Sequence, residues 1–381
     1  MISKEHHKHP KLTRPSLGMY GRNEWAILGT TCTQIQSLAK QIFQHFSSRF
    51  SCAYLDASHQ GEIGSEMLQA GATFEYTDYI QAQQQVSSTP WNQFKFRQYF
   101  NETDLVVANG NHHPAVKQIV VIDSDKEASL HKRLGQLTDV RLFLMKDRET
   151  PLFDFIKEQV PLWKDIPVLS LNDQTGILQF FENELQTAIP QLNGLVLAGG
   201  KSLRMGQDKG NIQWHGIPQR DYVWNLLNQF CAETFVSCRP DQIETTNLPQ
   251  IADSFLDLGP FGAILSAFRT NPDRAWLVLA CDLPMFDEAT VRALIVHRAP
   301  QQIATAFRNS EEGFPEPLAT IWEPKSYPIL LSFLAQGISC PRKVLINNSC
   351  KLLDAPNPQV LTNVNTPEQF EQMQERLKTK D

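Results

Sequence analysis

Short apolar runs, most of strand length, recur along the chain between polar segments. In the first half they fall at residues 25–29 (WAILG), 52–55 (CAYL), 104–108 (DLVVA), 118–122 (QIVVI), 140–145 and 167–171. Two stretches show helical spacing instead. Residues 33–46 place Ile35, Leu38, Ile42, Phe43 and Phe46 on one face, and residues 175–189 do the same with Ile177, Leu178, Phe180, Phe181 and Leu185. The second half repeats the scheme, with strands expected at 195–198, 234–237 and 275–280 (AWLVLA) and helices at 222–230, 263–268 and 368–378. Strands that are apolar on both faces, alternating with amphipathic helices, predict parallel sheets covered on both sides. The expected fold is α/β: two Rossmann-like three-layer domains with mostly parallel sheets. Pro190 closes the last helix of the first half. The expected division is a flexible leader at 1–22, a first domain at 23–189 and a second at 190–381.

The densest chemistry lies at residues 193–210 (NGLVLAGGKSLRMGQDKG). A buried strand runs into Gly199 and Gly200, and then into a loop carrying Lys201, Arg204, Gly206 and Lys209. Glycines let a ligand approach the backbone, and amides and fixed cations both favour an anion there. The spacing fits neither a P-loop nor a dinucleotide fingerprint. Further on, the strand at 275–280 ends in Cys281-Asp282-Leu283-Pro284. A carboxylate at the carboxyl end of a central parallel strand sits where such sheets bind ligands. One carboxylate, with waters and substrate phosphates, is a usual way to hold magnesium; an Asp-x-Pro after a strand also reads as a plain turn. Gly259-Pro260 opens a helix whose N-terminus can approach a ligand. Thr366-Pro367 reads as a helix cap followed by proline in the first turn.

Residues 197–209 resemble, almost letter for letter, the LAGGxSxRMGxDK signature of the molybdenum cofactor guanylyltransferases. The resemblance extends from about Leu192 to the C-terminus. It implies transfer of GMP from GTP to the phosphate of molybdopterin, releasing pyrophosphate, with Mg2+ as the metal. It places Leu197, Ala198, Gly199, Gly200, Lys209, Asp253, Gly259 and Asp282 at the nucleotide. Arg204, Lys209 and Asp282 become the catalytic set, with Asp282 on the metal. Glu316, Arg342, Asn363 and Asn365 fall on the pterin side. The family often has Asn where Cys238 stands. Relatives that use CTP tend to carry Ala-Ala-Gly at 198–200, so Ala198-Gly199-Gly200 implies GTP. A cytidylyltransferase, a sugar-phosphate nucleotidyltransferase and a non-catalytic nucleotide-binding adaptor remain alternatives. Molybdoenzyme apoproteins or cofactor-delivery proteins are the implied protein partners.

The order of elements in the first half resembles the GTP-binding adaptor that accompanies these enzymes, a P-loop fold. Its active loop is lost. Gln34, Ile35 and Gln36 stand where Gly, Lys and Ser or Thr are needed, and Asn109-Gly110 stands where the family has Glu-Gly. His112 and His113 read either as ligands or as a solvated pair.

Composition narrows the partners. With 35 Lys and Arg against 41 Asp and Glu the net charge is −6, which disfavours non-specific nucleic-acid binding. Seven dispersed cysteines without a C-x-x-C pair indicate neither a zinc site nor a disulfide framework, and predict reduced, mostly buried thiols. With neither an apolar targeting segment nor a spanning run in view, a cytoplasmic location away from membranes is expected.

Overall fold

The computed structural model describes residues 11–58, 65–147, 149–198, 209–242, 246–309 and 312–378, with Lys209 and Lys378 described by backbone alone. Two units separate among the described residues: Leu17–Ala188, and the remainder from Ile189 onward together with residues 11–16.

The first unit runs β1 (Glu24–Leu28), α1 (Cys32–Phe46), β2 (Cys52–Leu55), α2 (Glu66–Gln69), β3 (Phe74–Asp78), β4 (Gln83–Ser87), α3 (Gln93–Tyr99), β5 (Leu105–Asn109), β6 (Lys117–Ile122), α4 (Glu127–His131), β7 (Val140–Met145), α5 (Asp154–Gln159), β8 (Val168–Ser170) and α6 (Gln174–Thr187). Among the described residues the main sheet has the order β2-β5-β1-β6-β7-β8, and every pair is parallel. Side chains alternate across it. Trp25 and Ile27 of β1 pack with Ile35, Leu38 and Ile42 of α1 and Phe181 of α6, whereas Leu28 joins Leu130 of α4 and Ile156 of α5 on the other face. Helix α1 exists because its buried positions recur at helical spacing and Thr31 caps it, accepting from the Gln34 amide. Residues 17–22, expected in a leader, belong to this unit. The buried Glu24 carboxylate accepts from the amides of Met19, Tyr20 and Gly21, which fixes them against β1.

The β1–α1 turn is short: the helix starts at Cys32, only four residues after the strand ends at Leu28. Gly29 makes the turn at φ +93°, and a Cβ there would meet the Val121 carbonyl oxygen at 2.2 Å. Gln34, Ile35 and Gln36 lie in the first turns of α1.

The second unit runs β9 (Leu192–Leu197), α7 (Gln219–Asn228), β10 (Thr234–Cys238), β11 (Gln250–Ala252), α8 (Pro260–Thr270), β12 (Ala275–Ala280), α9 (Glu288–Val296), β13 (Ala304–Arg308), β14 (Pro315–Trp322), α10 (Ser326–Ala335), α11 (Pro341–Ile346), β15 (Cys350–Asp354) and α12 (Pro367–Lys378). The sheet order among the described residues is β11-β10-β9-β12-β14-β13-β15, with β14 antiparallel to both neighbours and the other pairs parallel. Val196, Leu277 and Leu279 face α7 and α9, while Leu195, Trp276 and Val278 face α8, α10 and α11. This is the three-layer arrangement expected. Trp276 and Trp322 are fully buried, and large apolar side chains of this kind contribute about 1.5–3 kcal/mol each. Among the described residues no helix is long and apolar enough to cross a membrane.

Candidate active site

The carboxyl end of β9 organises the site. Beyond Ala198 the chain enters residues 199–208, so Gly199, Gly200 and Arg204 lie outside the described residues, as does the side chain of Lys209. The backbone of Lys209 resumes in a short turn, Lys209–Asn211, that leads into α7. Leu197 is paired with Ala280 of β12 on one side and with Ser237 of β10 on the other. Each flank carries a different set of groups.

On the β10 side lies a pocket of ≈ 510 Å³ lined by residues that include Leu197, Ser237, Arg239, Asp253, Gly259 and Pro260. Three predicted nucleotide residues, Leu197, Asp253 and Gly259, thus meet in one cavity although they span more than sixty positions. Asp253 follows β11 and accepts from Ser237 Oγ at 2.8 Å. Burial pushes its carboxyl above the usual range, against the pull of that hydrogen bond and of Arg239. Gly259 caps α8 at φ +56°, ψ −139°, a conformation that favours glycine. Pro260 at the first helical position leaves the α8 N-terminus facing the pocket. Asp241, Asp253 and Asp257 line this pocket with Arg239. A lining rich in carboxylates suits the hydroxyl and N–H donors of a nucleoside better than its phosphates. Cys238 does not line it. Its thiol lies 3.7 Å from Gln250 Oε1 and 3.8 Å from the Ile251 carbonyl oxygen, and is taken up by β11.

On the β12 side stands Asp282, just past the strand end. The Val364 amide donates to its carbonyl oxygen at 3.0 Å, which brings the Asn363-Val364-Asn365 segment beside it. That segment is anchored twice more. Val364 packs with Met285 and Met373. Thr366 and Gln369 form a reciprocal cap on α12: the Gln369 amide donates to Thr366 Oγ1 at 3.4 Å, and the Thr366 amide to Gln369 Oε1 at 3.2 Å. Gln369 Oε1 also accepts from the Asn365 amide at 2.7 Å. Thr366→Ala is expected to weaken the start of α12 by about 1 kcal/mol, seen as faster hydrogen exchange of its first amides.

Glu316 reaches the same place from β14, the neighbour of β12. It is only 3% exposed. Its Oε1 accepts from the Leu318 amide at 3.2 Å, while Oε2 has no hydrogen-bond partner among the described residues. Arg342 Nη2 lies 3.7 Å from Oε2, and Arg342 is also paired with Glu312. Burial raises the Glu316 carboxyl; the Leu318 amide and Arg342 oppose this, and the charges of Asp282 and Glu312 add to it. Asp282, Glu316, Arg342, Asn363 and Asn365, drawn from four separated segments, therefore lie on this one flank of β9. The carboxylate and carboxamide oxygens of Asp282, Glu316, Asn363 and Asn365 are of the kind that suits a hard cation, whereas Arg342 suits an anion. Among the described residues no three His, Cys, Asp or Glu side chains gather as a ready metal cage.

Comparison with known proteins bears on this geometry. Residues 194–350 match the MobA-like NTP transferase domain. A probable molybdenum cofactor guanylyltransferase of Nostoc sp. is 32% identical over 183 residues, which cover 46% of this chain and 87% of that protein. The chain belongs to the molybdenum cofactor guanylyltransferase family. These are nucleotidyltransferases, and residues 194–350 are the transferase domain of this member. A molybdenum cofactor biosynthesis bifunctional protein of Synechocystis sp. is 37% identical over 185 residues, or 48% of this chain. The match spans about half of that relative's length, 53%. The solved structure of Bacillus subtilis MobB covers 42% of this chain at 14% identity and a TM-score of 0.32.

Proposed function

We propose that residues 190–381 transfer GMP from GTP to the phosphate of molybdopterin, forming the guanine dinucleotide and releasing pyrophosphate. The observation that carries this reading is the division of the site about the end of β9. A carboxylate-lined pocket at Asp253 and Gly259 receives the nucleoside. Across the strand, Asp282 lies beside the Asn363-Val364-Asn365 segment, with Glu316 reaching the same flank from β14. The strand end between them leads into the signature segment, whose Arg204 and Lys209 take the charge of the triphosphate. Asp282 would hold Mg2+, which when bound neutralises phosphate charge.

The acceptor is itself an anionic phosphate, so no protein nucleophile is needed, and positioning with charge stabilisation supplies the catalysis. Leu197, Ala198, Gly199 and Gly200 offer backbone groups along the nucleotide. Arg342 and the carboxamides of Asn363 and Asn365 orient the pterin substrate, and Glu316 presents its spare oxygen to the pterin's N–H donors. Guanine carries adjacent N–H donors that a carboxylate can accept, whereas cytosine offers one amino group. This favours GTP over CTP. Such chemistry belongs in the cytoplasm, where the product passes to molybdoenzyme apoproteins or to cofactor-delivery proteins.

The test is pyrophosphate release by the full-length chain with Mg2+ and molybdopterin, offering GTP, CTP and ATP in turn. Release that requires both GTP and molybdopterin is expected. Equal or faster release from CTP would assign a cytidylyltransferase, and GTP binding without release would leave only an adaptor.

A further inference from the structure

The β1–α1 turn of the first unit carries no lysine, yet polar side chains gather at the carboxyl edge of its sheet, where open α/β sheets bind ligands. Cys32 is the first residue of the fifteen-residue α1. His112 Nε2 lies 3.3 Å from its sulfur, and Asn111 Nδ2 donates to the same sulfur at 3.7 Å. His112 Nε2 is also 3.8 Å from Asp56 Oδ1. Asp56 is itself held by Tyr54 Oη at 2.8 Å and by Asn109 Nδ2 at 2.9 Å. Burial alone would raise the Asp56 carboxyl. Hydrogen bonds from Asn109, Tyr54 and the Ala57 amide, with the charge of His112, reverse this and hold it below the ordinary range. Three segments, the start of α1 and the chain after β2 and after β5, thus meet here, with His112 and Asn111 on the sulfur itself and Asp56 behind His112.

We propose that Cys32 is a thiol-modification site that reacts with low-molecular-weight disulfides. A histidine nitrogen within reach of a cysteine sulfur can take its proton, and the Asp56 carboxylate 3.8 Å from that nitrogen favours the imidazolium that results. His112 takes the thiol proton as the Cys32 sulfur attacks one sulfur of the disulfide RS–SR. A Cys32–SR bond forms as the RS–SR bond breaks, and the departing thiolate leaves with the proton that His112 held. One disulfide is consumed and one is formed, so no other oxidant is required. The other cysteine of this unit, Cys52, begins β2 and so sits at the opposite edge of the sheet from Asp56, which follows that strand. A disulfide within this unit therefore does not replace the mixed one, and the adduct is removed by a free thiol.

The sequence predicted mostly buried thiols. Instead only Cys238 and Cys281 are buried, Cys32 is partly exposed and Cys340 is exposed. Cys340 supplies the internal control, because accessibility alone would make it react before Cys32. The experiment exposes the full-length chain to oxidised glutathione at neutral pH and follows each cysteine by peptide mass spectrometry. Cys32 is expected to gain the adduct about tenfold faster than Cys340. His112→Ala should slow Cys32 by about tenfold or more, the low end of general acid–base effects, and leave Cys340 unchanged. Cys32→Ser should abolish the fast phase, and excess dithiothreitol should reverse it. A Cys340 rate equal to or above that of Cys32 in the unaltered protein would overturn the proposal without any variant. So would a Cys32 rate indifferent to His112→Ala.

Discussion

Asp282→Ala lowers turnover about 10²–10³-fold, the range seen when one charge-stabilising group is removed from an acyl- or phosphoryl-transfer site. Asp282 follows the most apolar strand of the second unit, and its neighbours Cys281, Leu283 and Met285 are buried. Its own side chain is partly exposed, so the substitution removes a carboxylate without opening the core. The Val364 amide contacts the Asp282 backbone oxygen rather than the side chain. The adjoining segment therefore stays in register, and the loss reports on chemistry rather than on local collapse. Pyrophosphate release at saturating GTP and molybdopterin is the measurement, with the Mg2+ dependence of GTP binding as a second readout that needs no turnover. If turnover stays near that of the unaltered protein, the assignment of Asp282 fails.

Arg298→Ala lowers the stability of the second unit by about 3–5 kcal/mol, because it strands a buried charge. Glu323 follows β14, and its side chain is 1% exposed. Arg298 grips it with two hydrogen bonds, Nε to Oε1 at 2.7 Å and Nη2 to Oε2 at 2.9 Å. Nη2 also donates to the Pro190 carbonyl oxygen at 2.8 Å, just ahead of β9. One guanidinium thus ties together the approach to β9, the end of α9 and the end of β14. Without it the Glu323 carboxylate must ionise unpaired or take up a proton, and both cost stability. Urea unfolding followed by tryptophan fluorescence gives the size of the loss. Pairing the change with Glu323→Gln should restore part of the stability, since the stranded charge is gone. A loss below about 1 kcal/mol would place this pair among ordinary surface ion pairs.

Legibility differed between elements for physical reasons. The runs WAILG, DLVVA, QIVVI and AWLVLA announce buried strands because both faces are covered, and their structural bounds lie within about a residue of the apolar letters. The spacing of Ile35, Leu38, Ile42 and Phe46 gives α1 for the same reason in helical form. The β3–β4 hairpin carried no such mark. Its residues are largely exposed, and Gln83-Gln84-Gln85 has no apolar face to read. At the candidate site, the signature segment and Cys281-Asp282-Leu283-Pro284 stand out as local strings. The resemblance they carry named Asp253, Glu316 and Arg342, but no local feature did.

Sequence alone determined the alternation of strands and helices and the family, because each is written in neighbouring residues. Only the tertiary structure decided that β14 enters antiparallel beside β12, which brings Glu316 and Arg342 to the flank that holds Asp282. It alone gathered Cys32, Asp56 and His112 from three separate loops. Strand order and direction follow from long-range pairing and from burial on both faces of a sheet, and residues so joined share no spacing along the chain.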